Sequence, residues 1–68
     1  MKVKVLKLGY AAKEVEAPEG SNVEDALRLS EMEQEDGYSV TLNGVGANLT
    51  ARLNNGDVVA LTPKVEGG

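Results

Sequence analysis

The sequence predicts an α+β domain, a mixed sheet of four to five strands with one helix across a face. Three observations carry this. Two short strand-like runs stand close together at the start of the chain, spaced for an antiparallel hairpin. One amphipathic helical stretch follows them. Strands then resume, and the connection back to the last one is long enough for it to pair parallel to the first.

The opening run "MKVKVLKLG" (Met1 to Gly9) reads as a strand, with Val3 and Val5 alternating with Lys2 and Lys4. Its phase then slips to Leu6 and Leu8 around Lys7, which implies a bulge or a strand covered partly on both faces. Gly9 and Tyr10 suit a turn. "KEVEAP" (Lys13 to Pro18) follows as the second strand, with Val15 and Ala17 opposed to Glu14 and Glu16, and Pro18 and Gly20 stop it.

"SNVEDALRLSEM" (Ser21 to Met32) reads as the helix. Ser21 is the expected N-cap, with Glu24 at capping-box spacing. Glu24 and Asp25 suit the positive end of the dipole. Val23, Ala26, Leu27 and Ser30 form one stripe, and Leu29 lies off it. "EMEQEDG" (Glu31 to Gly37) reads as a fraying helix end and a solvated acidic loop, and its spacing lacks an EF-hand pattern.

"YSVTLNG" (Tyr38 to Gly44) is a strand with a turn at Asn43-Gly44. Val45 to Asp57 fits neither pattern and reads as an irregular loop anchored on the core by Leu49 and Leu53. Asn55-Gly56-Asp57 makes a turn, and "VVALTPKV" (Val58 to Val65) is the last strand. Pro63 has no amide donor and belongs near a strand end or on an edge. Residues 1–65 are thus expected to form a single domain, with 66–68 as a flexible tail.

Composition narrows the chemistry. The 68 residues contain no cysteine and no histidine, which removes thiolate catalysis, disulfides, zinc–cysteine sites and the commonest general base. Phosphate-loop and dinucleotide motifs are absent, and the hydroxyl residues fall into turn, cap and strand-surface settings. The chain is therefore not expected to be an enzyme, and no bound cofactor or metal is expected. A net charge of −4 and only two aromatics argue against nucleic-acid binding. No apolar run approaches the ~20 residues of a membrane span, and the first residues do not read as a signal peptide, so a cytoplasmic protein without a membrane partner is expected.

The remaining reactive group of interest is the C-terminal carboxylate behind Gly67 and Gly68. Two residues without Cβ can lie extended in a narrow channel. From Lys64 to Gly68 such a tail reaches roughly 15 Å at ~3.3 Å per residue.

The closing stretch "NGDVVALTPKVEGG" (Asn55 to Gly68), with "LNG" (Leu42 to Gly44) before it, resembles the ubiquitin-like sulfur carriers of the MoaD/ThiS family. The resemblance implies a β-grasp fold. It also implies that a ubiquitin-activating-type adenylating enzyme uses ATP to activate the carboxylate of Gly68, beside its slender neighbour Gly67. A sulfur donor then leaves a thiocarboxylate for a sulfur-accepting synthase in molybdopterin, thiamin or tRNA thiolation. Some relatives instead join the same carboxylate to lysines of target proteins, and a plain interaction module without tail chemistry is a further alternative. Pro63 favours the molybdopterin type and the short chain the thiazole type, and Glu66 stands where a small residue is usual. The resemblance implies docking through an apolar sheet face. Tyr38, Val40, Leu42, Val59 and Leu61 are the candidates, weighed against the alternative that they form the core.

Overall fold

The computed structural model describes residues 1–32 and 37–64. Their elements are β1 (Lys2–Lys7), β2 (Ala11–Glu16), α1 (Val23–Ser30), β3 (Tyr38–Leu42), β4 (Val45–Gly46) and β5 (Val58–Pro63). They form one five-stranded sheet in the order β2-β1-β5-β3-β4. The central pair β1 and β5 is parallel, with Val5 opposite Val59, and the other three pairings are antiparallel. This mixed sheet with one helix is a β-grasp fold, as the sequence predicts.

Hydrophobic patterning explains the layering. Val3 and Val5 of β1, Val40 of β3, and Val59 and Leu61 of β5 turn to one face and are buried. Val23, Ala26 and Leu27 of α1 meet them from above, and Met32 and Leu53 close the sides. Ser30 completes the helical stripe, and its hydroxyl is satisfied by Leu27 O at 2.8 Å. Leu29, off the stripe, is exposed. β1 pairs without interruption from Lys2 to Lys7, so its phase slip is no bulge. It marks a central strand with apolar residues on both faces.

The helix N-cap is Asn22 rather than Ser21. Asn22 Oδ1 accepts from Asp25 N at 2.9 Å, and Asp25 Oδ2 accepts from Asn22 N at 3.0 Å, a reciprocal capping box. Ser21 is held elsewhere: its hydroxyl donates to Pro18 O at 2.7 Å and its carbonyl accepts from Leu53 N at 3.0 Å. Irregular chain from Ala47 to Asp57 finishes the cap, because Ala51 O and Leu49 O accept from Val23 N and Glu24 N. Leu53 is buried and Leu49 packs against the core, so both leucines anchor this segment as expected. The short strand β4, just before this segment, was not expected; Val45 and Gly46 pair with Leu42 and Thr41 around the Asn43-Gly44 turn.

Asn43 has φ 52° and Gly44 φ 84°, the left-handed pair a two-residue hairpin turn requires. The Asn43 side chain donates to Asp57 Oδ1 at 3.1 Å and accepts from Val58 N at 2.9 Å, tying this turn to the start of β5. No helix among the described residues is long and apolar enough to cross a membrane. Most of the acidic loop predicted after the helix lies outside the described residues, as do Val65 to Gly68.

Candidate functional site: the chain exit and the outer sheet face

The C-terminal segment leaves the sheet from its middle strand. β5 lies between β1 and β3, and its last residues are gripped from both sides. Leu8 N donates to Leu61 O at 3.1 Å, Tyr38 faces Pro63, and Lys64 N donates to Gly37 O at 2.7 Å. Pro63 thus sits at the end of the strand, where a missing donor costs least. Around this exit Lys7 Nζ lies 4.9 Å from the ring centroids of both Tyr10 and Tyr38, the two aromatic residues of the chain. Gly67 and Gly68, the residues expected to be activated, lie outside the described residues.

The five candidate docking residues fall on the helix-covered face. Val59 and Leu61 are 0% exposed and Val40 is 6% exposed, so these three are core rather than surface. Their register explains it: Val40 faces Leu61, Leu42 faces Val59, and Val59 faces Val5, all on the side that α1 covers. Tyr38 and Leu42 are half-buried and pack against the same core.

The opposite face is open and carries a surface that the candidate list misses. Cross-strand pairing sets Ala12, Leu6, Ala60, Thr41 and Gly46 in one row across all five strands. Leu8, 55% exposed, extends this row toward the chain exit. The pairs Lys4–Glu14 and Lys2–Glu16 border it on the other side. The signal was present in the sequence, since Leu6 and Leu8 are the residues that break the phase of β1. Among the described residues, no group of three His, Cys, Asp or Glu is placed to hold a metal ion.

The ThiS family model matches residues 5–68. The chain belongs to the ThiS family. Among solved structures this ThiS-family chain is similar to SAMP1 from Haloferax volcanii, at 22% identity over all of both chains and a TM-score of 0.80. It is similar at 23% identity, again over all of both chains and with a TM-score of 0.73, to a chain in the complex of subunits 1 and 2 of molybdopterin-converting factor from Helicobacter pylori. A putative molybdopterin converting factor subunit 1 from Pyrococcus furiosus gives 27% identity and a TM-score of 0.74, covering 94% of this chain and 98% of that one. No curated protein matches the sequence. These likenesses agree on the ubiquitin-like fold, and family and fold together support a small carrier or modifier.

Proposed function

We propose that this ThiS-family protein is a cytoplasmic sulfur carrier that works through the carboxylate of Gly68. The observation that carries the reading is the family match, which runs through residue 68 and so includes the Gly-Gly end. In the proposed reaction a carboxylate oxygen of Gly68 attacks the α-phosphorus of ATP, held by a ubiquitin-activating-type enzyme, and pyrophosphate leaves. Hydrosulfide then displaces AMP from the acyl carbon and loses its proton, which leaves a thiocarboxylate for an accepting synthase. The protein holds neither nucleotide nor metal itself. It supplies the carboxylate, the slender Gly67 behind it, and a docking face. The outer row from Ala12 to Thr41, continued by Leu8 toward the exit, suits that face because it is largely apolar and lies on the side of the sheet away from the helix. It runs from the exposed Ala12 through half-buried Leu6, Ala60 and Thr41, to either side of β5, the strand that leads to the tail.

A second reading is favoured by the likeness to SAMP1, a small archaeal modifier protein. There, the ε-amine of a target lysine displaces AMP and forms an amide with Gly68.

Incubation with a cognate adenylating enzyme, ATP and a sulfur donor, followed by intact-protein mass spectrometry, tests both readings. Exchange of one terminal oxygen for sulfur is expected for the carrier. A Gly68 remnant on lysines of other proteins is expected for the modifier. If the chain lacking Gly68 reacts as well as the full one, activation at this end is wrong.

A further inference from the structure

Met1 N donates to Ala17 O and Ala17 N to Met1 O, each at 2.8 Å, so this opposed pair exchanges both bonds. In an antiparallel ladder such pairs alternate with pairs that exchange none. Val3–Val15, Val5–Lys13 and Lys7–Ala11 therefore bond each other, whereas Lys2–Glu16, Lys4–Glu14 and Leu6–Ala12 do not. Bonds on the β1 side agree with this phase. Lys4 N donates to Asp57 O, Lys2 N to Asn55 Oδ1, and Lys2 O accepts from Gly56 N, all directed away from β2. By the same alternation the amides and carbonyls of Ala12, Glu14 and Glu16 point out from the sheet. β2 is the edge strand, and all three residues are exposed.

Three donors and three acceptors at two-residue spacing are a template for one added strand. Side-chain chemistry says which strand. An added residue directly opposite Glu14 or Glu16 stands beside a carboxylate, and one between them stands beside the half-buried Val15. Each carboxylate already has a cation on its inner side, Lys4 across from Glu14 and Lys2 across from Glu16, with the Met1 amine 3.6 Å from Glu16. The outer side has none. Just past β2, an open depression of about 380 Å³ lies between the following turn and α1. Glu19, Asp25 and the exposed Leu29 line it, with Arg28 paired to Asp25. A second copy of the chain fits this edge poorly. Antiparallel self-pairing centred on Lys13, Glu14 or Val15 sets Lys13 on Lys13, Glu14 on Glu14, or Glu14 on Glu16, and like charges directly opposite destabilise a sheet.

We infer that the β2 edge binds an extended protein segment of basic–apolar–basic sequence, which adds to the sheet as a sixth strand. This site is separate from the chain exit, and its test uses the protein alone. The probe is acetyl-Lys-Val-Lys-Val-Lys-amide, titrated into ¹⁵N-labelled protein and followed by amide shifts and hydrogen exchange. The amides of Ala12, Glu14 and Glu16 are expected to exchange fast in the free protein and to slow on binding, while those of Lys13 and Val15 are slow throughout. Glu14→Pro removes an outward N–H without touching the β1 ladder, and is expected to abolish binding with the fold intact by circular dichroism. The double variant Glu14→Lys with Glu16→Lys is expected to weaken binding about tenfold, since it reverses the cross-strand charge pairs. Any of three results overturns the inference: no slowing at the three amides, equal binding of Glu-Val-Glu-Val-Glu, or equal binding of a probe N-methylated at the amides that face β2.

Discussion

Asn43 shows how much one residue can hold. It occupies the left-handed region, its amide donates to Val58 O, and its side chain bonds both Asp57 and Val58 N. An alanine there loses the side-chain bonds and adds a left-handed penalty of about 1–2 kcal/mol. Asn43→Ala is therefore expected to destabilise more than Asn43→Gly, which loses the same bonds without that penalty. Urea unfolding of the two variants checks the order, and equal losses would mean that the conformation at this position is unimportant. Asn43-Gly44 is legible as a turn because its chemistry is local. The tie to Asp57 is not, because it depends on β5 returning beside β3. Leu6 is a second case. Its place out of phase with Val3 and Val5 is visible in the sequence, but which leucine faces solvent is decided by where the helix lies. Leu8→Asp, at 55% exposure on that same face, is expected to change the midpoint of unfolding little while reducing activation by a partner enzyme. Parallel thermal melts and pyrophosphate-release assays measure the two effects.

At the scale of elements, the helix is the clearest lesson. Its stripe of Val23, Ala26, Leu27 and Ser30 follows from spacing alone, and all four residues are buried. Its start does not follow. Ser21 and Asn22 are both good caps, and each has an acid three residues on, Glu24 or Asp25. Propensity cannot separate them. Ser21 is drawn into contacts with Pro18 and Leu53, which leaves Asn22 free to cap. Asn22→Ala is accordingly expected to cost about 1 kcal/mol, and Ser21→Ala acts only through the bond to Pro18 and not through the cap. Helical content by circular dichroism distinguishes them, since only the first should fray the first turn. β4 escaped the sequence for a related reason. Two residues carry no period, and they become a strand only because the hairpin at Asn43-Gly44 lays them against β3.

The whole molecule is a small core closed by one helix, so single deletions weigh heavily. Val59, at 0% exposure beneath α1, joins β5 to both of its neighbours. Val59→Ala is expected to cost about 2 kcal/mol, which for a domain of this size lowers the melting temperature by roughly 8–16 °C. Calorimetry measures the loss directly. Removal of Gly67 and Gly68 is expected to leave that temperature unchanged while abolishing activation. A lowered melting temperature would assign the tail a part in the fold. The sequence by itself determined the α+β class, the helical stripe, the turns and the Gly-Gly end, because periodicity, turn chemistry and termini are local properties. Only the tertiary structure decided which sheet face is core. A strand with apolar residues on both sides is ambiguous until a helix covers one of them. It therefore moved Val40, Val59 and Leu61 from candidate surface to interior and set half-buried Leu6 and Ala60, with exposed Leu8, on the opposite face. It also left the edge of β2 open, because strand order is set by pairing between residues far apart in the chain.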